Sequence, residues 1–250
     1  MAWDSDIGDA PPPAFRDKAP NLLGKIDEDA PISGHQRPAE DAVPVSESPE
    51  HDWAAAAASV FPVLRPADTP GPRLADLDPA RLRAAGMRTH AQPVIDSGPA
   101  GLAVAYILRA ASFDVLVSAD HLLGWAIEPD ELRDRAMRNL ADWSAAAPWT
   151  DELSGPRRLL SSATGDGGDA ARILLADVRG YLGAELGAGA RVLVGVPDRD
   201  MLIAGAYHVD DPEFATLFAD FVAKHCGGAD EPIDHRVFEL VAGELQPFLA

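Results

Sequence analysis

Cysteine, lysine and long apolar runs are scarce in this 250-residue sequence. Cys226 is the only cysteine, which excludes an intrachain disulfide and a metal cage built from several thiolates. No apolar run approaches the roughly 20 residues that a membrane-spanning helix needs. The first residues lack a positive segment followed by an apolar one, so no secretory signal is predicted. We therefore expect a cytoplasmic protein without a membrane partner.

Acidic residues far outnumber basic ones, and the formal net charge is −19 at pH 7. Lys18, Lys25 and Lys224 are the only lysines, so almost all positive charge is arginine. A strongly acidic surface repels nucleic acid and anionic lipid, which argues against either as a general partner. Another protein is the expected partner, and the charge favours a basic one.

Residues 1–50 differ in composition from the rest and hold eight of the 22 prolines. Proline donates no backbone hydrogen bond, and this acidic segment shows no sustained apolar periodicity. We expect a disordered, Pro-rich acidic arm over residues 1–50 and a folded domain over 51–250. Residues 15–26 combine apolar and basic side chains, and are either a docking peptide or part of a variable tail.

Hairpins and helices alternate along residues 51–250. Strands are predicted over 102–108 and 113–118 as an antiparallel pair, over 158–162, and as hairpins over 191–196 with 201–206 and 236–241 with 244–248. Helices are predicted over 54–60 and 78–86 and from starts near 128, 169 and 211. This order predicts a single-domain α+β fold with a largely antiparallel or mixed sheet and three main flanking helices.

The helix that follows Asp211 has the clearest periodicity in the chain. Its apolar residues recur at i, i+3, i+4, i+7 and i+8, namely Phe214, Leu217, Phe218, Phe221 and Val222. This spacing predicts that all five line one face against the core.

A glycine-aspartate loop, Gly165-Asp166-Gly167-Gly168-Asp169, precedes the helix predicted from residue 169. Glycine allows positive φ and close approach of a ligand, and a helix N-terminus attracts anions. Asp169 is expected to accept from the helix amides as the N-cap, and Asp166 to pair with Arg172. No lysine follows as in a P-loop, and the alternating acids of an EF-hand are missing. A capped tight turn is the simplest interpretation, and a divalent-cation site is the functional one.

A second charged turn, Asp198-Arg199-Asp200, joins two apolar strands. It is either a solvated hairpin tip or one wall of a site that the glycine loop completes. The candidate binding residues are Asp166, Gly167, Asp169, Arg172, Asp198, Arg199 and Asp200. The alternative metal site would use Asp166, Asp169 and Asp200 to hold Mg²⁺ or Mn²⁺. No catalytic residue is assigned.

Several short motifs together resemble the YtpQ-like family of uncharacterised bacterial proteins. They are Phe61-Pro62-Val63-Leu64-Arg65-Pro66, Asn139-Leu140, Gly165-Asp166-Gly167 with Asp169-Ala170-Ala171-Arg172-Ile173-Leu174, Val196-Pro197-Asp198-Arg199-Asp200 and Gly243-Glu244-Leu245-Gln246-Pro247-Phe248. The resemblance covers residues 53–250 and implies no particular reaction, because the family has no established activity. The chain departs from the family in its acidic arm and in Gly168, where an aromatic residue is expected.

Two classes of function remain open. The seven histidines do not cluster, and the chain has no Gly-x-Ser-x-Gly nucleophile motif. The favoured hypothesis is a non-enzymatic interaction or accessory protein with an acidic surface. The alternative is a divalent-metal-dependent enzyme acting on a small or phosphorylated substrate through the 165–172 loop and the 197–200 turn. Convergence of Asp166, Asp169 and Asp200 in one pocket would favour the enzyme.

Overall fold

A computed structural model describes residues 50–78, 80, 84, 92–109 and 114–249, all within one compact unit, Ala42–Ala250. The arm over residues 1–49 and most of the helix predicted over 78–86 lie outside the described residues. Among the described residues, no helix has the length and apolar character to cross a bilayer.

The described residues form an α+β fold with two antiparallel sheets, which confirms the predicted class. The strands are β1 (Val60–Arg65), β2 (Ile95–Ser97), β3 (Ala103–Arg109), β4 (Asp114–Leu116), β5 (Thr150–Ser154), β6 (Arg157–Ser162), β7 (Arg191–Gly195), β8 (Leu202–Tyr207), β9 (Phe238–Val241) and β10 (Glu244–Pro247). The helices are α1 (Trp53–Ala56), α2 (Ala119–Trp125), α3 (Pro129–Ala146), α4 (Ala176–Leu186) and α5 (Pro212–Gly228).

The smaller sheet is built around β3, which is buried along almost its whole length. β1 pairs with one edge of β3, while β2 and β4 pair with the other edge. The antiparallel pair predicted from the runs at 102–108 and 113–118 is therefore confirmed. No strand was predicted for β1, and the helix predicted over 54–60 is too long, since α1 ends at Ala56 and Val60 already belongs to β1. Pro62 has no amide proton to donate, and it lies in β1 at the edge of the sheet, where a ladder bond is dispensable.

The larger sheet has the strand order β10-β9-β7-β8-β6-β5, and every pair in it is antiparallel. Its hairpins β7-β8 and β9-β10 and the strand β6 match the predictions. Side chains alternate between the two faces of β7: Val192 and Val194 enter the main core, and Leu193 enters a second core under α5.

The main core is shared by the two sheets, α3 and α4. Leu132, Ala136 and Leu140 recur along the buried face of α3, as the periodicity predicts. Asn139 lies on the same helix and donates to the carbonyls of Ala57 and Val60, both at 2.8 Å. These bonds satisfy backbone acceptors where α1 passes into β1, so Asn139 fixes the junction of α3 with the smaller sheet.

Two helix predictions need correction. The segment after Asp169 is a short 3-10 helix, Ala170–Leu174, and Leu175 turns to ψ 126° before α4 begins at Ala176. On α5, Phe214, Phe218 and Val222 are buried, but Leu217 is 50% exposed and Phe221 is 36% exposed. The apolar face of α5 is thus wider than the part of the sheet that it covers.

Candidate functional site

The strand order brings the two charged turns together. β6 and β8 are antiparallel neighbours, with Ser162 paired to Leu202. The end of β6, which leads into the glycine loop, therefore lies beside the start of β8, which follows the charged turn. A hydrogen bond joins the turns directly, because the Gly167 amide donates to Asp200 Oδ1 at 2.6 Å.

A third segment, after α5, completes a pocket of about 450 Å³. The Ile233 amide donates to the Pro197 carbonyl at 2.9 Å, which holds this segment against the charged turn. The pocket is lined by Gly165, Asp166, Gly167, Asp198, Arg199, Asp200, Ala229, Asp230 and Glu231. Carboxylates thus dominate a concave surface that three separate parts of the chain build.

A chain of ion pairs ties the pocket to the smaller sheet. Arg199 pairs with Asp114 of β4 at 2.5 Å and with Glu231 at 3.4 Å. Glu231 also accepts from Arg65 of β1 at 2.8 Å. Burial lowers the pKa of Arg199, but its hydrogen bond to Asp114 and the nearby carboxylates outweigh that effect and raise it. Arg199 therefore stays charged and is already engaged by two acids.

Two glycines of the loop, Gly167 and Gly168, leave room for two arginine side chains that lie against it. Gly167 has φ 71°, and a Cβ there would lie 2.0 Å from Arg199 Nη2. A Cβ on Gly168 would lie 2.9 Å from both Arg109 Nη2 and the Trp143 ring. The expected aromatic side chain has no room at position 168, since Arg109 and Trp143 already fill that space.

Arg109 itself is held mainly by aromatic rings. Its guanidinium carbon lies 3.9 Å from the centre of the Phe61 ring and 5.7 Å from that of Trp143. Its Nε and Nη2 have no hydrogen-bond partner within the described part of the chain. Burial lowers its pKa, partly offset by the charge of Asp114. Arg109 lies against Gly168 of the loop and does not line the pocket.

Asp169 does not contribute to the pocket, contrary to the prediction. It is fully buried, and its side chain makes no cap bond to the following turn. Its Oδ1 accepts from the Ser162 hydroxyl, and its Oδ2 accepts from the Thr164 amide at 3.0 Å and the Thr164 hydroxyl at 2.8 Å. The carboxylate thus reaches back to the end of β6 and closes the glycine loop from inside.

Arg172 is also interior, and the predicted pair with Asp166 is wrong. Arg172 is 2% exposed and lies 4.1 Å from the centre of the Trp149 ring. Its guanidinium donates to the Ser162 and Ser144 hydroxyls at 2.7 and 3.0 Å, and to three carbonyls at the end of α3. Ser162 therefore links the buried cation of Arg172 to the buried anion of Asp169.

Three of the seven predicted residues are thus pocket carboxylates, namely Asp166, Asp198 and Asp200, and Gly167 and Arg199 also line it. Asp169 and Arg172 lie in the interior instead. Sequence reasoning missed Asp230 and Glu231, the acids of the third wall, and Arg65, the partner of Glu231. The one sequence signal of the two acids is position, because they follow the glycines that end α5 after a single alanine, Ala229.

Asp198 is the carboxylate of the pocket whose titration is most clearly altered. Burial raises its pKa above the ordinary value of 3.8, and the charge of Asp200 raises it further. A hydrogen bond from the Asp200 amide, 2.8 Å from Asp198 Oδ1, acts in the opposite direction. The folded protein therefore holds a proton on Asp198 more tightly than the unfolded chain does.

We expect Asp198→Asn to gain stability relative to the wild type as pH rises through and above about 4. A raised folded pKa means that ionisation opposes folding once pH exceeds the unfolded value, and asparagine removes that cost. Asn Oδ1 can still accept from the Asp200 amide. Urea unfolding at a series of pH values measures the difference, with exposed Asp76→Asn as the charge-matched control. A difference that stays constant with pH would show that burial does not oppose ionisation here.

The pocket offers partial support for a cation site. Asp166, Asp198 and Asp200 are the residues that could approach an ion there, while Asp169 faces the interior. Among the described residues, no group of three or more His, Cys, Asp or Glu side chains is arranged to hold a metal. Any ion would therefore have to draw these carboxylates together or share them with water.

Comparison of the chain with protein families, curated proteins and solved structures found no match. The resemblance to the YtpQ-like family stays a prediction from its short motifs.

Proposed function

We propose that this chain is a non-enzymatic interaction protein whose acidic pocket receives an arginine or lysine side chain from a basic partner. The observation that supports the proposal is a charge imbalance within a concave site. Five acids line the pocket, namely Asp166, Asp198, Asp200, Asp230 and Glu231, and its one basic lining residue is Arg199. Arg199 is already paired with Asp114 and Glu231, and within the described part of the chain the other four carboxylates of the pocket form no ion pair.

The chemistry of the pocket matches a cationic side chain. A guanidinium presents five N–H donors and an ammonium three, and neither accepts a hydrogen bond. Ionised carboxylates only accept, so several of them around one cation form charge-assisted bonds. The net charge of −19 also attracts a basic partner over distance, which raises the association rate at low salt.

A metal-dependent enzyme is the second candidate, and one observation favours it. The glycine loop and the charged turn do meet, and they bring Asp166 and Asp200 into the same pocket. Mg²⁺ or Mn²⁺ held there would serve a small or phosphorylated substrate. The burial of Asp169 weakens this alternative, because it removes one of its three proposed ligands.

We expect a short oligo-arginine peptide to bind the protein and to bind the double variant Asp166→Asn, Asp230→Asn about five- to tenfold more weakly. Both residues are exposed, and neither side chain forms a hydrogen bond or ion pair with another described residue, so the change mainly removes pocket charge. Fluorescence anisotropy of the labelled peptide at fixed salt measures the affinity.

The matched control is Asp68→Asn, Asp76→Asn, which removes the same charge from exposed positions outside the pocket. Equal weakening in both double variants would mean that the peptide senses net charge and not the pocket, which contradicts the proposal. Thermal melts with millimolar Mg²⁺ or Mn²⁺ test the alternative. A metal-dependent gain in Tm that Asp166→Asn abolishes would favour the enzyme.

A further inference from the structure

An apolar groove of about 330 Å³ lies beside α5, on the face of the larger sheet opposite the main core. α5 packs over β7 and β8. Val222 of α5 lies so close to Gly195 of β7 that a Cβ on Gly195 would be 2.4 Å from the Val222 side chain. All five residues of β5 are exposed and Leu159 of β6 is only half-buried, so the described part of the chain leaves this side of the sheet open beside α5. Leu159 and Ile203 form part of the groove floor, and Leu217 and Phe221 form part of its helical wall.

The wall of the groove is apolar and open to solvent. Leu217 and Phe221 are four residues apart on α5, so their side chains lie one above the other on the same flank. They are 50% and 36% exposed. Large apolar side chains gathered along one concave surface are typical of an interaction site.

The charges along the groove favour a basic occupant. Glu152 is directly opposite Leu159 in the β5–β6 register, and it makes no ion pair within the described part of the chain. Arg157 at the groove forms ion pairs with both Asp211 at 2.6 Å and Glu213 at 2.9 Å. Acidic side chains therefore outnumber basic ones at this end of the groove. A second copy of this chain would bring the same acids and a net charge of −19, which makes it a poor match.

The dimensions favour a helix as the occupant. Neighbouring strands are about 4.8 Å apart, so the uncovered face of β6 and β5 is roughly 10 Å wide. That width is close to the diameter of a helix with its side chains, about 10–12 Å. A helix laid beside α5 would cover Leu159 and pack against the flank formed by Leu217 and Phe221.

We propose that this groove binds an amphipathic helix of a basic partner protein, with its apolar stripe against α5 and a lysine or arginine against Glu152. The groove shares no lining residue with the acidic pocket. The proposal therefore stands independently of the function proposed for that pocket.

The test uses a synthetic helix of about 18 residues made of Leu, Ala and Lys, with leucine at i, i+3, i+4 and i+7. A second peptide carries glutamate in place of lysine. We expect the lysine peptide to bind the full chain, and Leu217→Ser and Glu152→Gln each to weaken it about five- to tenfold. Asp166→Asn, Asp230→Asn should leave this affinity unchanged, which separates the groove from the pocket.

The matched controls lie on β9 and β10, at the opposite end of the sheet. Val241→Ser removes a similarly exposed apolar residue, and Glu244→Gln removes an exposed acid. The proposal is overturned if these controls weaken binding as much as the groove variants, or if the glutamate peptide binds as well as the lysine peptide. It is also overturned if the wild type sediments as a dimer that Leu217→Ser dissociates, because a second copy would then occupy the groove.

Discussion

Replacing Asp169 by alanine is expected to lower the free energy of unfolding by about 3–5 kcal/mol. The carboxylate is fully buried and accepts from both the amide and the hydroxyl of Thr164. Its removal leaves that amide without its acceptor and takes away the negative charge that Ser162 connects to the buried guanidinium of Arg172. An uncompensated buried charge costs far more than one lost hydrogen bond.

Urea unfolding at pH 7 measures the effect, and Asp166→Ala is the matched control. Asp166 lies three residues earlier in the same loop and is exposed, so its loss should change stability by less than about 0.5 kcal/mol. A loss near 1 kcal/mol for Asp169→Ala would match an ordinary helix cap and would contradict the interior role. Asp169→Asn, which keeps one oxygen acceptor but no charge, separates the hydrogen-bonding part from the ionic part.

The same residue shows why the site was only partly predictable. Aspartate before a helix is a common N-cap, so the local pattern assigned Asp169 to the helix. In the structure the following segment is a 3-10 helix, and the side chain turns back to Ser162 and Thr164. Arg172, which was predicted to pair with Asp166, lies in the core because Trp149 and the end of α3 surround it. No local pattern reports that long-range packing.

The strands were easier to predict than their order. The hairpins β7-β8 and β9-β10 each consist of two short segments rich in apolar residues with a turn between them, and these are local features. The pairing of β6 with β8 joins segments about forty residues apart and has no local signature. That pairing brings the charged turn beside the glycine loop. The sequence could therefore say what a convergence of the two turns would mean, but not that they converge.

Not every residue of an apolar helical pattern lies in the core. Phe214, Phe218 and Val222 meet the sheet, whereas Leu217 and Phe221 extend past the strands that α5 covers. Periodicity gives the direction of the apolar face but not the width of the surface that it meets. This difference between pattern and burial is the feature that reveals the groove.

Phe218→Ala and Phe221→Ala should therefore differ sharply, although both remove a phenyl ring from the same apolar face of α5. Phe218 is 4% exposed and packs 6.0 Å from the Phe214 ring centre, in the core beneath α5. We expect its loss to lower the free energy of unfolding by about 3–5 kcal/mol, because transfer free energy and a residual cavity add together.

Phe221→Ala should cost less than about 1.5 kcal/mol, since its ring is 36% exposed and the open groove leaves no closed cavity. Chemical denaturation of the two variants gives the comparison directly, and an unchanged urea m-value would confirm that both still unfold in one step from the same folded state. If the two losses were equal, α5 would be covered on both flanks, and the groove beside it would not be open in solution. A small loss at Phe221 with a large one at Phe218 instead identifies Phe221 as a surface residue that can be changed without unfolding the domain.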